Sequence, residues 1–298
     1  SASETECSGL FRRSQLVYLL SVVLIVFLAL GGLLWSQQRM LLYHPDPARF
    51  SPAAVGLKSV EEVMLEAPDG VEIISWYGKA RPAQPTILYF HGNGSNLAGR
   101  AGRVGEYMAK GRGMMMMSYR GYSGSGGKPT EAHNFSDARL AYDWLRAQGV
   151  AADDIILYGE SLGSGVALKL ATEVPVGGII LDAPFTSIVD VGKRIYPYLP
   201  VRTFLFDRYD NRSRIGDIGA PLLIVHGDRD ELIPIEMGRE LYRKAPEPKE
   251  FAAIAGGGHN DHYLFGSYEI IHAWMDVRFP TRGGQGMAEG ASAAGGAQ

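Results

Sequence analysis

The chain has 298 residues, 46% hydrophobic and 20% charged, with a formal net charge of −3 and a single cysteine, Cys7. That length fits one large domain or two small ones and can bury a sizeable core. The charge lacks the basic surplus that displaces phosphate counterions, which argues against a nucleic-acid binder, and one cysteine excludes an internal disulfide.

The first predicted element is Leu16–Trp35, LVYLLSVVLIVFLALGGLLW, which carries no charge. Its length is about that needed to cross a hydrocarbon core of roughly 30 Å. It exceeds the apolar region of a cleaved signal peptide, and the weak cleavage candidate Ala29-Leu30-Gly31 lies inside the run instead of after it. A buried core helix would show a polar face, which this segment lacks. Residues 1–40 are therefore expected to be a tail, holding Cys7, and an uncleaved single-pass anchor with no catalytic part, so that the chain without them is expected to be soluble and active. Arg12 and Arg13 before the run nearly balance Arg39 and Arg49 after it. The paired arginines lean toward a cytoplasmic N-terminus, with the catalytic domain on the non-cytoplasmic side.

Residues 41–50, LLYHPDPARF, read as an irregular connector into a domain over 41–280. Two alternating strands around Pro68-Asp69-Gly70 come next. Short apolar runs then alternate with amphipathic stretches. The runs are 86–90, 114–119, 155–158, 178–182, 222–226 and 250–255; the helical candidates are 96–110, 131–147, 162–173, 235–244 and 262–277. This rhythm predicts an α/β fold with a mostly parallel sheet covered on both faces, the antiparallel pair at one edge. Met114–Met117 falls in the rhythm as core packing. An aromatic-rich insertion over 186–217 interrupts it, too long for a tight loop. The Gly/Ala-rich tail 281–298 is expected to be disordered.

Chemistry concentrates after three of the apolar runs. Gly159-Glu160-Ser161-Leu162-Gly163 stands where a strand hands over to a helix. Glycines on both sides permit the crowded turn that exposes a nucleophilic serine, although a helix-capping serine would also fit. A serine nucleophile needs a histidine base, and that base an orienting acid. Of seven histidines, His259 follows the last apolar run on Gly256-Gly257-Gly258, at the sheet edge where open α/β folds bind ligands. The acid candidates are Asp228, Asp230 and Glu231 after the run 222–226, with Asp182 as the outside choice; spacing does not select among them. Oxyanion donors are expected from the N–H of Leu162 and, in FHGNGSN, that of Asn93, with Gly94 in reserve. GYSGSGGKPT imitates a phosphate loop, but Tyr122 occupies the required first glycine. His259, Asp261 and His262 imitate a metal site without further ligands nearby.

From about Leu41 to Phe279 the chain resembles the α/β-hydrolase superfamily, and is most similar to its small membrane-anchored members. The stretches that carry the likeness are LYHPDP, FHGNGSN, SYRGYSGSGGKPTE, YGESLGSGVA, DAPFTS, LLIVHGDRDELIP and GGGHND. The resemblance implies a central sheet flanked by helices with a short helical insertion after the sixth strand. It implies Asp230 as the acid, with Ser161 as nucleophile and His259 as base, in the chain order of that fold. It implies hydrolysis of carboxylic esters or thioesters through an acyl-enzyme, on a small-molecule or lipid-like acyl substrate, without metal or organic cofactor. The same machinery serves peptidases, and a catalytically silent membrane adaptor is the reading from a different class. The insertion's aromatics are expected either to pack in the core or to form, with Phe185, an acyl pocket; Tyr122 is a second substrate-side candidate.

Overall fold

The computed structural model describes residues 2–280, so the expectation for 281–298 lies outside the described residues. α1 (Ala2–Leu42) is one uninterrupted helix. Within it Gln15–Leu42 is long and apolar enough to cross a membrane, with a mean hydropathy of 2.8 and none of its apolar stretch buried against the domain. The helix runs past the boundary read from sequence. Tyr43 N–H still donates to Arg39 O, and the chain extends only at β1 (His44–Pro45).

β2 (Glu61–Glu66) and β3 (Glu72–Gly78) are antiparallel, closed by a turn in which Gly70 takes φ +77°. β4 (Thr86–Phe90) leads into β5 (Gly94–Ser95), which pairs in parallel with β1. Then α2 (Ala101–Ala109), β6 (Gly113–Met117), α3 (Glu131–Ala147), β7 (Ile155–Glu160), α4 (Leu162–Ala171) and β8 (Gly178–Asp182) alternate. The insertion folds as three short helices, α5 (Ile188–Ile195), α6 (Val201–Phe204) and α7 (Asn211–Arg214). β9 (Leu222–Gly227), α8 (Ile235–Lys244), β10 (Lys249–Ile254) and α9 (Ser267–Arg278) complete the domain. The single helix expected over 262–277 is split, because Gly266 at φ +91° separates a short turn, His262–Phe265, from α9.

The main sheet has the order β10-β9-β8-β7-β4-β6-β3-β2, parallel except where β3 meets β2 and β6. Both faces are covered, which is why its strands read as continuous apolar runs. Met114 and Met116 join Ile87, Tyr89, Ile156 and Tyr158 in one core layer. Met115 and Met117 join Leu88, Phe90 and Leu157 in the other. Each fully buried side chain of this kind contributes about 1.5–3 kcal/mol. The parallel strands deliver their following loops to one edge, and those loops carry residues 91–95, 161, 183–187, 228–233 and 255–261.

Of the insertion's aromatics only Tyr209 packs in the core. Tyr196, Tyr198, Phe204 and Phe206 are exposed, Tyr198 at 97%, while Phe185 at its root is buried. Tyr209 and Ile215, buried in the domain core with Ile188 and Val191 packed against it, hold the segment in place together with polar contacts. Asn211 Nδ2 donates to Phe185 O at 3.0 Å, and Arg212 pairs with Asp190 and Glu240.

Candidate active site

Ser161 sits at the junction of β7 and α4 with φ 50° and ψ −113°, a conformation that side chains rarely adopt. The flanking glycines make it possible. A Cβ on Gly163 would collide with Phe90 O, and one on Gly159 with Gly163 O. Ser161 N–H donates to Asp182 O at 2.8 Å, which pins the turn to the end of β8.

His259 and Asp230 converge on this serine. His259 Nε2 lies 3.0 Å from Ser161 Oγ, and its Nδ1 lies 2.6 Å from Asp230 Oδ2. With the proton on Nδ1, donated to the carboxylate, Nε2 faces the serine hydroxyl as an acceptor. Asp230 Oδ1 accepts from Leu232 N–H at 3.0 Å and Ile233 N–H at 2.8 Å. Burial pushes the Asp230 carboxyl up, but hydrogen bonds from His226 and His259, with the Ile233 N–H, pull it well below the ordinary range. It is a fixed anion beside the imidazole.

The other acid candidates lie elsewhere. Asp228 Oδ1 accepts from Gly256 N–H at 2.7 Å and shapes the loop before His259. Glu231 is exposed. Asp182 is fully buried, with His262 Nε2 at 2.9 Å, Arg103 Nη1 at 3.1 Å and Tyr158 OH at 2.7 Å. His262 therefore faces Asp182 and Ser267, away from any joint ligand set with His259 and Asp261. His91 is no base either: burial, then the charge of Arg100, push its pKa down to about 3.

Two sets of N–H groups lie near the serine turn. Those of Leu162 and Gly163 open α4, where a helix leaves its first donors unpaired. The loop 92–95 approaches from the other side, and a Cβ on Gly92 would stand 3.6 Å from Ser161 Cβ. Among the described residues the Asn93 N–H has no protein acceptor, while the rest of Asn93 is held firmly. Its Nδ2 donates to Leu42 O at 3.0 Å, and its carbonyl accepts from His44 N–H at 2.9 Å and Tyr122 OH at 2.7 Å.

Two expectations change here. Tyr122, read as a substrate contact, is wholly buried and its hydroxyl serves the backbone of Asn93. Phe185, read as a pocket wall, is 1% exposed, so neither side chain lies open to a substrate.

Known proteins place the chain in a family. It is 30% identical over 236 residues to human alpha/beta hydrolase domain-containing protein 17B, covering 78% of this chain and 81% of that protein. The chain belongs to the α/β-hydrolase superfamily. A family model described as serine aminopeptidase, S33, matches residues 81–209 of this α/β-hydrolase. An uncharacterized Mycobacterium tuberculosis protein is 35% identical over 260 residues, covering 85% of this chain and 92% of its own length. Among solved structures, a Pyrococcus furiosus esterase superposes with a TM-score of 0.64 at 18% identity, over 80% of this chain and 97% of that one. That likeness shows the fold.

Sequence reasoning missed three supports of this hydrolase site. His226, buried at the end of β9, donates from Nε2 to Ile233 O at 2.8 Å and lies 3.4 Å from Asp230 Oδ2. It stands four residues before Asp230, a spacing visible in LLIVHGDRD. His262 ties the loop of His259 to Asp182 at the end of β8. Tyr122, with Leu42 and His44, braces Asn93; nothing local in the sequence signals that contact.

Proposed function

We propose that this α/β-hydrolase is a membrane-anchored serine hydrolase acting on esters or thioesters of apolar acyl groups. The observation that carries the reading is the contact of Asp230, His259 and Ser161, at 2.6 and 3.0 Å, around a serine held at positive φ. Ser161 Oγ attacks the acyl carbonyl as its proton passes to His259 Nε2. The new C–O bond leaves the charge on the carbonyl oxygen, which the N–H groups of Leu162 and Asn93 receive. Collapse breaks the bond to the leaving group, which takes the proton from His259. Water then attacks the acyl-enzyme, giving its proton to the same nitrogen, and the acid departs as Oγ regains the proton.

Ser161→Ala is expected to abolish turnover of p-nitrophenyl esters and labelling by a fluorophosphonate. Loss of the nucleophile from a triad of this kind costs on the order of 10⁶ in kcat, the size of the effect in the serine protease subtilisin. Activity within tenfold of the native chain would overturn the assignment.

The length and composition of Gln15–Leu42 support an anchor. A peptidase is the second reading, favoured by the description of the matching family model. Hydrolysis of aminoacyl p-nitroanilides faster than of acyl esters would decide for it.

A further inference from the structure

The insertion is fastened to the domain-side end of α1. Gln38 Nε2 donates to Phe204 O at 3.1 Å, and Phe206 N–H donates to Gln38 Oε1 at 2.8 Å. Arg39 Nε donates to Asp207 Oδ2 at 2.9 Å, and its guanidinium lies 5.4 Å from the Phe206 ring. The Trp35 and Phe206 rings meet edge to face with centroids 5.2 Å apart. These contacts fix the height of the insertion along the helix axis. Phe206 stands level with Trp35, the last residue of the charge-free run Leu16–Trp35.

In an anchored protein that level is the headgroup zone, where tryptophan and tyrosine rings concentrate. The outward residues of the insertion suit it. Ile195, Tyr196, Tyr198, Leu199, Phe204 and Phe206 are exposed, more apolar surface than a water-facing loop needs. Lys193, Arg194, Arg202 and Arg208 are exposed among them, whereas the one acid between 193 and 208, Asp207, is buried and paired with Arg39. Rings beside basic side chains are the composition of segments that lie on anionic lipid.

We propose that the segment from α5 to α7 is a second membrane contact, resting on an anionic leaflet beside the anchor and holding the Ser161 edge of the sheet against the bilayer surface. The inference rests on the reading of α1 as an anchor. Its partner is the lipid surface, recognised by ring insertion and by pairing of Lys193, Arg194 and Arg202 with anionic headgroups.

The test uses the full chain in nanodiscs, with Cys7→Ser as background and one bimane-labelled cysteine at a time. Tyr198→Cys reports the insertion, Phe27→Cys the helix, and Gln148→Cys, exposed at the end of α3, the opposite side of the domain. Doxyl-labelled lipid is the quencher, and circular dichroism confirms that each variant is folded. The expected result is loss of emission at Phe27→Cys and Tyr198→Cys but not at Gln148→Cys. The loss at Tyr198→Cys should be larger with phosphatidylglycerol present than in pure phosphatidylcholine, and Lys193→Glu with Arg202→Glu should remove that difference. Quenching at Phe27→Cys with none at Tyr198→Cys overturns the second contact and leaves the anchor standing. No quenching at either overturns the anchor reading itself. A phosphatidylglycerol effect that survives the double charge reversal overturns the assigned headgroup partners.

Discussion

At the scale of single residues, Asn93 is braced through both its side chain and its carbonyl. Its side chain, its carbonyl and both neighbouring segments are tied down, so its N–H is presented in one direction without reorganisation during the reaction. Tyr122 is the brace that can be removed most cleanly. Its hydroxyl donates to Asn93 O and accepts from His44 N–H at 3.1 Å. Tyr122→Phe keeps the ring and deletes both contacts. The expected cost is about 0.5–1.5 kcal/mol of stability, the net worth of a hydrogen bond, because Asn93 O and His44 N–H keep each other as partners. We also expect a fall in kcat at nearly constant KM, because the loss is felt where the oxyanion develops. Thermal denaturation and steady-state kinetics on a p-nitrophenyl ester check both, and an unchanged kcat would remove the loop from the proposed oxyanion site.

At the scale of elements, the loop carrying His259 is held by a charged pair. Burial pushes the His262 imidazole down, but Asp182 beside it outweighs burial and leaves its pKa above the ordinary 6.5. Protonated His262 thus stabilises the folded chain fully below about pH 6.5, and the contribution is lost as pH rises through the raised value. For Asp182 burial pushes up, while His262 and Arg103 pull the carboxyl below its ordinary 3.8. Its contribution is complete above that value and is lost as pH falls through the lowered one. The pair is therefore strongest between about pH 4 and 6.5. His262→Gln should lower the melting temperature most near pH 5–6 and least near pH 9; a gap independent of pH would show that the pair is not ionised. Much at this scale was legible beforehand. Strands covered on both faces cannot hide their apolar runs, and Ser161, Asp230 and His259 each stand directly after one. The two-residue ladder of β1 and β5 was not legible, because so short a pairing has no period. The end of α1 was misread for a related reason, since Ser36–Arg39 look like the polar exit of an anchor until Phe206 and Asp207, far along the chain, are seen to meet them.

At the scale of the whole molecule, the anchor and the catalytic domain meet through a short list of contacts, and deletions should separate them. Removing residues 1–40 keeps Leu42, Tyr43, β1 and the brace on Asn93, with Tyr43 OH still 2.9 Å from Tyr209 OH. Its turnover of a soluble ester should stay within a few-fold of the native chain. Removing residues 1–46 deletes the Leu42 and His44 parts of the brace, and with them Asp46, which accepts from Asn96 Nδ2 at 2.6 Å and from Ser123 N–H at 2.8 Å. That chain should lose most of its kcat, up to about a hundredfold for a displaced reacting group. Equal activity in the two would show that the loop 92–95 needs no support from the connector.

The unbroken passage from α1 into β1 also makes the helix a splint where a flexible leash would have sufficed. A leash can be lengthened by a residue without consequence; a splint has an angular phase. One alanine inserted between Met40 and Leu41 would rotate everything before it by about 100° and raise it about 1.5 Å, leaving β1 in place. Trp35, Gln38 and Arg39 would then turn away from Phe204, Phe206 and Asp207, and the domain would swing on the axis of its own helix. Crosslinking of Trp35→Cys to Phe206→Cys by a short bifunctional thiol reagent, in a Cys7→Ser background, should be efficient in the native spacing and fall sharply after the insertion. Crosslinking that tolerates the extra residue would make the helix a leash after all.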